Sequence, residues 1–313
     1  MVGIRWSHCG ERFAFSMVQS LYQAFDSDIY VYDIKASTLR NLTDNQESLG
    51  ENGRLIMNIL PVWAEEDRGI YYARMGREED GAEMISHLSF TTLETGEIET
   101  ILDFRMEELL HIYPTLIYNR GVLFYDLIDP ALGEKMGIYK YTDKVGEVLL
   151  MEGIRKEEDR ITMIRLVDIS FDGEKLLFKY QDRSFTEPTR FFLMRVDVPE
   201  QKEELIPNSP NGMISSVLFS PDGTTIMQIE NDKDNGKSYV YVLDISDPTG
   251  SLNLIYTRED DFLFAWNHFH PIMQPYFSTL IHQLQPIWLD NSYIAINGEV
   301  PRLYRIVTTA NGE

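Results

Sequence analysis

His268, His270 and His282, three of the six histidines of this 313-residue chain, fall in one stretch, DDFLFAWNHFHPIMQPYFSTLIHQLQP (260–286). A His-x-His pair with a third His offers neutral imidazoles, and Asp260 or Asp261 could add a carboxylate, a donor set suited to zinc or manganese. The chemistry this would support is metal-assisted elimination or hydrolysis. Other reactive residue types are scattered. Ser7, Ser170 and Ser220 stand outside any Gly-x-Ser-x-Gly elbow, so a turn-capping hydroxyl is the commoner role for each. Cys9 has only Arg12 nearby in sequence to favour a thiolate. DKDNGK (232–237) has carboxylates at 232 and 234, but Leu243 stands where a calcium loop needs its bidentate Glu, so a hairpin tip is expected.

The three serines mark the elements that must position everything else. VLFSPDGTTIMQIE (217–230) reads as strand, corner, strand, and DISFDGEKLLFKY (168–180) and IRWSHCGERFAFSM (4–17) are near copies. Asp-Gly permits the positive φ of a tight turn, and the preceding Pro presets it. Each corner is followed by a third alternating strand and a short fourth one, as in DIYVYDI and TLRNLTD. Corners aligned at Ser7, Ala64, Tyr118, Ser170, Ser220 and Leu289 give six units, spaced more widely than compact WD40 repeats. The expected fold is all-β, a six-bladed β-propeller of four-stranded antiparallel blades. The blades are placed at 2–44, 58–102, 111–151, 164–206, 213–256 and 284–313, with an inserted loop at 257–283. The last blade shows three strands, which suggests one domain of a longer protein or an edge covered by a partner. Trp6, Trp63 and Trp288 end the first strand of blades one, two and six, where each ring is expected to fill space between blades.

The pattern W-S-x-x-G-x-x-x-A-F-S … D-I-Y-V-Y-D … L-x-N-L-T of the first unit, with F-S-P-D-G of the fifth, resembles the PD40 repeat, a WD40-like repeat of TolB-like six-bladed propellers. Cys9 in place of the usual Asp, the longer corner AEEDRG and the corner LDNS depart from it. The resemblance implies a scaffold whose relatives include protein-binding modules, peptidase gating domains and some lyases or hydrolases, the lyases with histidine-rich metal sites. It therefore leaves two functions open. One is a non-catalytic module that binds a protein or peptide; the other is a metal-assisted lyase or hydrolase using His268, His270 and His282.

Charge narrows the partners. Fifty Asp and Glu against 28 Lys and Arg give a net charge of −22, which argues against nucleic acid and against an anionic membrane surface. A basic protein or peptide, or another domain of a longer parent chain, fits better. No cofactor is expected. With no basic-then-apolar leader and a single cysteine, a cytoplasmic location is expected.

Connection lengths point to one working face. First-to-second and third-to-fourth strand connections are tight corners, whereas those between second and third strands and between blades are long. Loops on a rigid scaffold carry most binding residues, so the long-loop face is the candidate surface. Its longest loop holds Trp266, Phe269, Tyr276 and Phe277 as candidate partner anchors. The plainer reading of the same segment is an aromatic plug over the channel mouth with histidines at its polar edges. GREEDG (76–81) and RKEEDR (155–160) would add a rim of acid.

Overall fold

The structure, a computed structural model, describes residues 2–18, 27–44, 55–77, 84–103, 114–127, 136–157, 160–182, 190–205, 213–232, 237–245, 253–259, 287–290, 293–296 and 302–305. It forms two compact units, Met1–Gly153 and Ile154–Glu313. Among the described residues every regular element is a β-strand, apart from a 3-10 turn at Glu65–Asp67.

The first unit holds three antiparallel sheets in chain order. The first contains β1 (Val2–Trp6), β2 (Arg12–Val18), β3 (Ser27–Asp33) and β4 (Thr38–Asn41). The second contains β5 (Leu55–Trp63), β6 (Gly69–Arg77), β7 (Met84–Thr92) and β8 (Ile98–Asp103). A single parallel bridge, Ser27 to Met57, ties these two together. The third contains β9 (Leu116–Asn119), β10 (Val122–Leu127), β11 (Gly137–Thr142) and β12 (Gly146–Glu152).

The second unit continues the series. Its first sheet has β13 (Ile154–Glu157), β14 (Arg160–Ile169), β15 (Lys175–Asp182), β16 (Arg190–Arg195) and β17 (Lys202–Glu204). The extra strand β13 folds back on β14 and occupies what the sequence reads as an inter-blade loop. Next comes a sheet of β18 (Met213–Phe219), β19 (Thr225–Asp232), β20 (Lys237–Asp244) and β21 (Asn253–Glu259). The last has β22 (Ile287–Asp290), β23 (Tyr293–Ile296) and β24 (Arg302–Arg305).

Within each sheet strands neighbour one another in chain order, which is the construction of a propeller blade. A register shift interrupts the pairing of the corner-forming strands in five of the six sheets, at Val2/Arg5, Ile59/Val62, Leu166/Asp168, Ile214/Ser216 and Trp288/Asp290. A bulge adds local right-handed twist, so the same device bends the same strand in successive blades.

Apolar faces of neighbouring sheets pack together. Ala14, Ile29, Val31 and Leu42 of the first sheet close on Trp63, Ile70 and Tyr72 of the second. The other face of the second sheet packs Tyr71, Ala73, Met75 and Leu88 against Leu116, Leu123, Tyr125 and Tyr139. In the second unit Leu177 and Phe191 meet Val217, Phe219 and Ile226. Each Val, Leu, Ile, Met or Phe among them contributes about 1.5–3 kcal/mol when removed from water.

The expectation for the tryptophans holds for Trp63, which is 3% exposed and donates its indole Nε1–H to the Arg5 carbonyl at 2.8 Å. It fails for Trp6, which is 61% exposed and leans on Phe13 at 5.5 Å between ring centres. Trp63 is buried because it packs with Ala14, Ile29, Val31 and Leu42 of the sheet before it. The side chain of Trp288 lies outside the described residues.

Candidate functional site

The corners show what their reactive side chains do. At Ser170 the backbone N–H donates to the Lys175 carbonyl (2.9 Å), the hydroxyl accepts the Lys175 N–H (2.9 Å), and Gly173 N–H donates to the Ser170 carbonyl (2.8 Å). The hydroxyl also donates to Asp172 Oδ1 (2.5 Å), which accepts the Glu174 N–H as well (2.9 Å). The Ser220 corner repeats this with Asp222, Thr224 and Thr225, at 2.7–3.0 Å. Burial opposes ionisation of Asp222, but the hydrogen bonds from Ser220 and Thr224 outweigh it and hold the carboxyl below its ordinary value. Gly173 and Gly223 take φ of +78° and +70°, as the Asp-Gly pairs require. These serines are turn residues, with their hydroxyls engaged inside their own corners. The third sheet turns instead through Arg120 and Gly121, both at positive φ.

The Ser7 corner departs from this pattern in an instructive way. Cys9 stands where the other corners have Asp, and its Sγ shares a hydrogen bond with the Ser7 hydroxyl at 3.3 Å, a weaker partner than a carboxylate. The missing carboxylate comes from the next blade: Asp67 accepts the backbone N–H of His8 at 2.7 Å and of Cys9 at 3.0 Å. It also meets His8 Nδ1 at 2.8 Å. Burial raises the Asp67 carboxyl pKa, yet the Cys9 and His8 hydrogen bonds win and keep it below 3.8. To reach that corner, Glu66 and Asp67 adopt left-handed φ of 56° and 55°. In the second unit Asp168 plays a related part, accepting Ile169 N–H at its own bulge and Phe219 N–H of the next sheet, each at 2.9 Å. Neither carboxylate was identified from sequence, because no local pattern says that a side chain bonds a backbone 51 to 59 residues away.

The opposite ends of the strands frame the long connections. Residues 19–26, 45–54, 78–83, 104–113, 128–135, 183–189, 206–212, 233–236 and 260–286 lie outside the described residues. So do the candidate anchors Trp266, Phe269, Tyr276 and Phe277 and the candidate ligands His268, His270 and His282. At the strand ends leading into these connections, polar side chains are buried. Asp28 accepts from Thr43 Oγ1 (2.8 Å) and Asn41 Nδ2 (3.0 Å), and Asp126 accepts the Thr115 N–H (2.5 Å). Gln228 donates to Glu230 Oε1 at 2.6 Å, and both are buried. Ser27 and Asn58 exchange two hydrogen bonds at 3.1 Å, each side chain donating to the other's carbonyl. Among the described residues no group of three or more His, Cys, Asp or Glu is placed to hold a metal ion, and no helix is long and apolar enough to cross a membrane.

Solved structures with the same build are β-propellers. TolB from Acinetobacter baumannii superposes with a TM-score of 0.53 at 14% identity, over 82% of this chain and 56% of that one. The β-propeller domain of the Trilobed protease from Pyrococcus furiosus, described as having an open velcro topology, gives 0.51 at 14% identity, over 80% and 69%. A prolyl endopeptidase gives 0.54 at 14% identity, over 82% of this chain and 35% of that one. The chain thus spans little more than half of that TolB and about a third of that peptidase. No protein-family model matches the sequence, and no curated protein matches it either. These likenesses show the fold, a β-propeller.

Proposed function

We propose that this chain is a binding module without a catalytic centre of its own, recognising a protein or peptide through the face that carries its long connections. The observation that supports this is the difference between the two ends of the blades. At the corner end, the hydroxyls and carboxylates that could do chemistry are committed to turns and to the neighbouring blade. At the other end, rigid strands deliver long connections, and Asp28, Asp126 and Glu230 are buried at their bases. A net charge of −22 favours a basic partner and faster encounter at low salt. Trp266, Phe269, Tyr276 and Phe277 are the proposed anchors, since aromatic side chains concentrate binding energy. Metal analysis of the purified, dialysed chain tests the reading. A binding module retains no stoichiometric zinc or manganese; one retained equivalent would overturn it in favour of a lyase or hydrolase centred on His268, His270 and His282.

A further inference from the structure

One strand has no counterpart in the rest of the series. β1, β9, β18 and β22, the first strands of their sheets, each end a sheet, whereas the first strand β14 carries β13 outside it. Ile154, Arg155, Lys156 and Glu157 of β13 lie opposite Met163, Thr162, Ile161 and Arg160. The pairing stands at the end of β14 remote from its Ser170 corner, the end from which the long connections leave the strands.

β13 holds this edge weakly. It is four residues long, and among the described residues β14 is its only strand partner. A short pairing at a sheet edge opens locally at low cost. Neither cation of the strand has an acidic residue opposite it in register, since Arg155 meets Thr162 and Lys156 meets Ile161.

Opening exposes backbone N–H and C=O groups of β14, a template to which an extended chain adds as a strand. Charge selects the occupant: the chain carries −22, and the strand already seated on the edge brings an Arg-Lys pair. We propose that the edge of β14 at 160–163 is a docking site for an extended basic segment of a partner protein, and that β13 is a strap occupying the site until that segment displaces it. The partner's basic character rests on the function proposed above; the site itself rests on the strand pairing.

Fluorescence anisotropy of the full chain with a labelled synthetic peptide Gly-Ile-Arg-Lys-Glu-Glu, the sequence of 153–158, tests this. Adjacent N–H groups of a strand point to opposite edges, so Arg155→Pro/Lys156→Pro removes one bond to β14 in either register. Arg155→Gln/Lys156→Gln removes the same charges and keeps the backbone. A strap seated about nine-tenths of the time weakens apparent binding about tenfold, so the Pro variant should bind the peptide about tenfold more tightly than the wild type and more tightly than the Gln variant. Equal binding by the Pro and Gln variants, or by the Pro variant and wild type, would overturn the proposal. If the Pro variant does not fold, amide exchange of the wild type decides it: saturating peptide should strip protection from 154–157 while 160–163 keep theirs, and unchanged protection at 154–157 would overturn the strap. The peptide assay uses neither Trp266 nor Phe269, so its failure leaves the proposed anchors standing, and their failure leaves the strap.

Discussion

Replacing Asp67 by Asn isolates the carboxylate that links the first two blades. Asn tolerates the left-handed φ of 55° at this position, so backbone strain changes little. The substitution removes the charge and points an amide group at donors. Three contacts are affected, at 2.7, 3.0 and 2.8 Å. Hydrogen bonds to a charged group contribute about 1.5–3 kcal/mol when buried. Here Asp67 is 8% exposed but its partner His8 is 55% exposed, so water replaces part of the loss. The His8 ring alone contributes at most about 0.5 kcal/mol. The expected total is about 1–2 kcal/mol, lowering the melting temperature by roughly 2–4 °C per kcal/mol. The pH dependence has a definite sign. The folded pKa of Asp67 lies below the ordinary 3.8, so its contribution is complete above that value and is lost as pH falls through the folded pKa. Urea denaturation followed by circular dichroism at pH 7 and near pH 3 is the assay. The gap between wild type and Asp67→Asn should be largest at neutral pH and should narrow as pH falls below 3.8. Equal stability at pH 7, or a gap that persists unchanged in acid, would refute the role assigned to this carboxylate.

Other substitutions test other joints of the fold. At Gly223 a Cβ would lie 3.2 Å from Ser170 Cβ, on a backbone at φ +70°, whereas at Gly173 (φ +78°) it would meet nothing within 4 Å. Gly223→Val should therefore cost more than Gly173→Ala, for which only the left-handed strain of about 1 kcal/mol remains, and thermal melts should rank them so. Trp63→Phe keeps the ring in its apolar seat but leaves the Arg5 carbonyl without its indole donor, a loss of about 1 kcal/mol in the denaturation midpoint. Burial raises the Tyr72 pKa from 10.0 to about 12, so its contribution is intact below pH 10 and is lost as pH rises through 12. Tyr72→Phe should flatten the fall in stability across that alkaline range.

Corners were the most legible part of the sequence, because Asp-Gly encodes a backbone angle and Ser-x-Asp-Gly encodes the bonds that hold it. Cys9 shows the limit of that code: a local reading sees a missing Asp, while the structure supplies Asp67 from another blade. RKEEDR has the composition of a solvated loop, yet the residues of Ile154–Glu157 pair with 160–163 as an edge hairpin, since backbone pairing is indifferent to side-chain charge. Trp6 and Trp63 are equivalent by pattern and opposite in burial, since burial depends on packing between sheets, which a local pattern does not carry. Aromatic content alone marks the proposed anchors, and their segment lies outside the described residues.

Partner capture from a native lysate by the wild-type chain and by Trp266→Ala/Phe269→Ala, with melting temperature recorded in parallel, tests the proposed function most directly. Two buried aromatic anchors contribute on the order of 2–4 kcal/mol of binding, so the variant should capture its partners at least tenfold more weakly while melting at the wild-type temperature. Unchanged capture and melting would place the working surface elsewhere, and a much earlier melt would show the segment to be a structural plug; either result contradicts the account.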